Sequence, residues 1–91
     1  MTILRTIEGA GTVDVLDGRS EIRSVEFPAN VWVTPASGGS MKIENSVDGG
    51  VTWTAWPAGT VTAHTEQVLY APPGQLRATV VTGGAGMWGI A

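Results

Sequence analysis

Apolar and polar residues alternate along this chain in short runs, and glycine, proline and aspartate separate the runs. A period of two is the mark of a half-buried β-strand. Residues 75–82 carry it most cleanly, with Leu76, Ala78 and Val80 predicted to face inward. Residues 41–46 place Met41, Ile43 and Asn45 on one face and Lys42, Glu44 and Ser46 on the other. Residues 2–8, 12–16, 21–27, 31–34, 51–55, 65–70 and 87–90 read as further strands, and 60–63 as a short one. Val13 and Val15 share a face of their strand, Val51 and Trp53 share one of theirs, and Trp32 points opposite Val31 and Val33. No window carries apolar residues at helical spacing.

Turn chemistry marks the joints. Gly9 and Gly11 close the first strand, Asp17 and Gly18 form a strong hairpin turn, and Pro28 ends the run that begins at Glu21. Residues 35–40 are the longest flexible connection and the expected mobile loop, 71–74 a rigid turn, and 83–86 a glycine-rich turn into the last strand. About seven to nine short strands with frequent turns predict an all-β fold, a compact antiparallel β-sandwich or small barrel. Alternation, as opposed to continuous apolar runs, favours antiparallel pairing with one wet face.

A chain of 91 residues makes a single β domain over 1–91, in which residues 1–8 serve as an edge strand or as an extended docking arm. Without cysteine there is no disulfide scaffold, no thiolate catalysis and no thiolate metal site. Arg5, Arg19, Arg23, Lys42 and Arg77 are scattered against eight carboxylates, for a net charge of −3. That balance argues against nucleic acid, whose phosphates need clustered cations. No apolar run approaches the roughly 20 residues that span a bilayer, so no membrane partner is expected. The first residues lack the basic-then-apolar layout of a signal peptide, which points to cytoplasmic synthesis. With 43% hydrophobic residues and few charges, a chain of this size is expected to cover part of its surface against other subunits.

The most specific motif is Ser46-x-Asp48-x-Gly50-x-Thr52-Trp53, with Trp56 and Pro57 just beyond it. Short oxygen side chains satisfy turn N–H groups, and glycine removes the steric cost of positive φ. The pattern resembles the Asp-box of sialidases and related β-propellers. There, the Asp and Ser side chains bind turn amides and the Trp packs beneath. The resemblance implies a structural turn and no chemistry, and a single copy cannot build a propeller.

A broader likeness covers residues 25–91. An alternating strand leads to this hairpin, then to Gly59, Thr60 and Val61, then to the run from Tyr70 through Pro72, Pro73, Gly74, Leu76, Arg77, Ala78 and Thr79, and to a glycine-rich closing hairpin. The order resembles the small all-β structural proteins of tailed bacteriophage particles, which decorate or cement the capsid or sit at the head-tail junction or tail. The resemblance implies a non-catalytic virion component, made in the host cytoplasm, without a cofactor. Its partners would be copies of itself, in a trimer or ring, and other virion proteins.

The four tryptophans also admit a sugar-binding module, with Trp56 stacking beside Trp32 or Trp88. Spacing along one regular strand would send Trp53 to the core and Trp56 to the surface. Trp32, Trp56, Tyr70 and Trp88 are the candidate interface or ligand contacts. His64, the single histidine, reads as a solvated loop residue and not as a metal ligand or base. Asp14, Asp17, Glu21 and Glu26 read as the wet face of a hairpin. Asp48 has no acidic companion for a calcium loop, and the glycines at 83–86 lack the Lys and the helix of a phosphate loop. Enzyme activity is not expected. A small inhibitor of a host enzyme is a third reading.

Overall fold

Antiparallel pairing sorts the chain into two four-stranded sheets packed face to face, in a computed structural model that describes residues 2–16, 22–71 and 73–91. In chain order the strands are β1 (Ile3–Glu8), β2 (Val13–Leu16), β3 (Ala29–Pro35), β4 (Ser40–Ser46), β5 (Thr54–Ala55), β6 (Thr65–Leu69), β7 (Gln75–Thr82) and β8 (Ala85–Ile90). The first sheet runs β1-β8-β3-β6 and the second β2-β7-β4-β5. This is an all-β sandwich.

The period-two pattern builds the core directly. Leu76, Ala78 and Val80 of β7 are fully enclosed and meet Leu16, Met41 and Ile43 from the same sheet. Ile7, Val31, Val33, Trp88 and Ile90 supply the opposing layer. Of the segment expected as an edge strand or docking arm, Ile3–Glu8 joins the domain as an edge strand, with Ile3 opposite Ile90 and Ile7 opposite Gly86. An added Cβ at Gly86 would stand 2.3 Å from the Met41 sulfur, so the buried Met41 side chain would have to shift to admit it.

Several expectations are corrected. The run after Glu21 is not a strand: Ile22–Ser24 forms a single 3₁₀ turn, closed by the Val25 N–H donating to the Ile22 carbonyl at 3.0 Å. Residues three apart share a side in such a turn, so Ile22 and Val25 both reach the core. A strand would have parted them. The return strand expected at 51–55 shrinks to Thr54–Ala55, and 60–63 gives one bridge, Val61 to Met41. The connection expected at 35–40 is shorter, since Pro35 ends β3 and Ser40 begins β4; the Ala36 N–H donates to the Ala85 carbonyl at 3.1 Å, and Ser40 Oγ lies 2.8 Å from Thr82 Oγ1. Asp14 does not line a wet face, since β2 turns it inward with Leu16 while Val13 and Val15 face solvent. The turn expected at Asp17 and Gly18, the residues Arg19 and Glu21, and Pro72 of the turn at 71–74 lie outside the described residues.

Candidate functional site

The loop between β4 and β5 is held by its own side chains. Ser46, buried at the end of β4, accepts from the Gly50 N–H at 2.9 Å and donates to Asp48 Oδ1 at 2.7 Å. Asp48 Oδ1 also accepts from the Thr52 N–H at 2.8 Å. Gly49 and Gly50 sit at φ of 76° and 92°, a region where a side chain is strained. The Trp53 indole closes the loop by donating to the Gly50 carbonyl at 3.0 Å. The Thr52 amide, then the Ser46 hydroxyl, hold the Asp48 carboxyl down at about 2, against an ordinary 3.8.

A second set of contacts seats this loop on the sandwich. The Arg77 guanidinium lies 4.2 Å from the centroid of the Trp53 ring and bonds Glu44 Oε1 at 2.9 Å. Gly74, in the β6–β7 connection, approaches so closely that a Cβ there would stand 2.3 Å from the Ser46 carbonyl oxygen. The two loops thus share one end of the molecule. At that end, apolar side chains face solvent: Val47 is 86% exposed, Val51 83% and Tyr70 81%.

Ser46, Asp48, Gly50, Thr52 and Trp53 are therefore brought together, while the candidate contacts are not. Trp88 has no exposed surface, and its Nε1 donates to Asp14 Oδ2 at 2.8 Å, so it is a core residue and not a surface contact. Trp32 stands on the outer face of the first sheet, half-buried, with its ring over Gly89, where a Cβ would meet it at 2.5 Å. Trp56 packs against the core from the other side of that sheet, and Trp53 does not join the core. The order expected for those two indoles is reversed, because the strand between them is only two residues long. No shared stacking platform forms from Trp56 with Trp32 or Trp88.

Trp56 also lines a small cavity with Val31, Val33, Ile43, Val61 and Gln67, between β6 and the segment beneath it. Its volume of ≈ 40 Å³ is room for a few waters.

Sequence reasoning missed one polar chain. His64 is exposed, as read, but both ring nitrogens are engaged: Nδ1 lies 2.6 Å from Thr34 Oγ1 and Nε2 2.7 Å from Glu66 Oε2. Glu66 also accepts from Asn30. The His64 and Asn30 bonds lower the Glu66 pKa below its ordinary value. The signal was there in the spacing, since His64, just before β6, and Glu66, on β6, stand two residues apart. The hydroxyl-imidazole-carboxylate order is that of a proton relay, yet neither Thr34 nor His64 lines the cavity. Here it ties the start of β6 to β3. Among the described residues no group of three or more His, Asp or Glu is placed to hold a metal ion. No family model, curated protein or solved structure matches this chain.

Proposed function

We propose that this chain is a non-catalytic structural subunit of a tailed-bacteriophage particle, acting through subunit contacts in capsid decoration or at head-tail or tail positions. The observation that carries the reading is the division of labour in the β4–β5 loop. Its polar side chains, Ser46, Asp48 and Trp53, spend their hydrogen bonds on the loop itself, while Val47 and Val51 are held out in solvent. A loop already fixed in shape loses little entropy on docking, and Tyr70 beside it adds a stiff aromatic contact. The phage particle itself comes from the resemblance of residues 25–91.

The test is co-sedimentation of the labelled chain with capsids and tails of the phage whose genome encodes it. The intact chain should travel with particles and saturate, and a Val47→Asp, Val51→Asp double variant should stay at the top of the gradient. A chain that never co-sediments, or that turns over a substrate, defeats the proposal. Glycan titration followed by indole fluorescence tests the sugar-binding alternative.

A further inference from the structure

The lateral strands of the sandwich meet solvent on unequal terms. On one side, β1 and β2 each turn a charged residue inward: Arg5 and Asp14 stand 3.5 Å apart, and Asp14 also holds the Trp88 indole. An inward charge on an edge strand discourages another strand from adding to it. On the other side, β5 has two residues and offers no ladder. β6 is different. It has five residues, regular pairing with β3, and no proline, lysine or inward charge, since Thr65, Gln67 and Leu69 take the inner positions.

The phase of its backbone is fixed by a neighbour. Asn30 exchanges both main-chain hydrogen bonds with Ala91, at 2.7 and 2.9 Å, so Asn30 faces β8 and the alternate residues Ala29, Val31 and Val33 face β6. Their partners Leu69, Gln67 and Thr65 point back toward β3. The N–H and C=O groups of Glu66 and Val68 therefore point outward, along the free edge. The Glu66 carboxylate does not shield that edge, because Asn30 and His64 draw it back over the sheet.

We propose that β6 pairs antiparallel with β6 of a second copy about a two-fold axis at Gln67, joining the first sheets of two molecules into one continuous sheet. In this register, Glu66 faces Val68 of the second copy and Val68 faces its Glu66. Both residues already aim their backbone groups outward, so the two pairs form four main-chain hydrogen bonds. Thr65 faces Leu69 and Gln67 faces itself. Setting Glu66 against Glu66 would oppose like charges, and a one-residue slip would send inner side chains to the outer face. Glu66 and Val68 lie one residue either side of Gln67 and both turn their backbone groups outward, so an identical strand turned about that axis meets them with the same two residues, which is why a second copy is the occupant. The pair, rather than a trimer or ring, is then the elementary contact between copies.

Sedimentation equilibrium of the full chain tests this together with two opposite substitutions at half-exposed Val68. The intact chain should dimerise with a Kd of about 10–100 µM, as befits a small interface. Val68→Glu sets a second carboxylate against Glu66 twice per dimer and should weaken pairing about tenfold or more. Val68→Lys sets a cation there and should pair at least as well as the intact chain. Gln67→Cys, in a chain with no other cysteine, should form an intermolecular disulfide on mild oxidation, and Glu8→Cys on β1 should not. A monomer at ~1 mM, equal effects of Glu and Lys at position 68, or no disulfide at position 67 would overturn the pairing. The inference rests on the reading of the chain as an assembly subunit, and the two fail separately. A monomer that binds particles sinks only the pairing, and a dimer that binds none sinks only the particle.

Discussion

Trp88 on β8 donates its indole N–H to Asp14 on β2, so the two sheets are joined by a hydrogen bond as well as by apolar contact. The indole is fully enclosed, and the carboxylate accepts its N–H. Asp14→Ala should leave that N–H enclosed without a partner, at a cost of about 1–3 kcal/mol. For a domain of this size the thermal midpoint should fall by roughly 4–8 °C for each kcal/mol. Asp14→Asn keeps an oxygen within reach and should lose less. Equal melting of the alanine variant and the intact chain would remove the cross-sheet bond from the account.

Ser46 is the hub of the β4–β5 loop, and it is buried. Ser46→Ala should cost about 1–2 kcal/mol and shift the emission of Trp53, which the loop closes over. Ser46→Thr should preserve more of both. Urea titration with fluorescence reads the two effects together.

Acid should open the same loop through Asp48. Its carboxyl is held at about 2, below the ordinary 3.8. A lowered folded-state pKa means that the charged form favours the folded loop. That contribution is complete above about 3.8 and fades as the pH falls toward about 2. Thr52 amide protection, corrected for intrinsic exchange, should hold from neutral pH to about 4 and then decline. Asp48→Asn should flatten the profile. Glu66, lowered by His64 and Asn30, adds a contribution of the same sign at the β3–β6 junction.

Glycine 89 is a packing requirement and Gly84 is not. A Cβ at Gly89 would stand 2.5 Å from both the Ile3 carbonyl oxygen and the Trp32 ring, whereas nothing lies within 4 Å of one at Gly84. Gly89→Ala should cost about 1–3 kcal/mol and loosen β1, while Gly84→Ala should be neutral or slightly stabilising. Thermal melts of the two variants side by side make the comparison.

What could be read without coordinates follows the reach of each signal. Leu76, Ala78 and Val80 were legible because a period of two survives only in a strand with one buried face. The same rule, applied to β8, places Gly86, Trp88 and Ile90 together on the inner face; Gly86 and Gly89 interrupt the apolar alternation that would display that phase. Ile22 and Val25 read as strand residues because β-branched side chains favour strands, while their spacing of three is what the turn uses. Trp53 and Trp56 were placed on the premise of one regular strand, and most of that segment is loop. The loop's own bonds were foreseeable, since Ser, Asp and Gly act within a few residues of one another. Pairings across the fold, such as Asp14 with Trp88 or Thr34 with His64, are fixed only by strand order and register, which a single sequence does not encode locally.

The two engaged indoles, Trp53 on the Gly50 carbonyl and Trp88 on Asp14, make a pair of internal clocks. In heavy water, the ring proton of Trp53 is released whenever its loop lifts, a local excursion. That of Trp88 must wait until the layers separate, an event of the whole domain. Their two deuteration rates, read in one spectrum, would tell whether anything that grips the molecule steadies only its tip or its entire body.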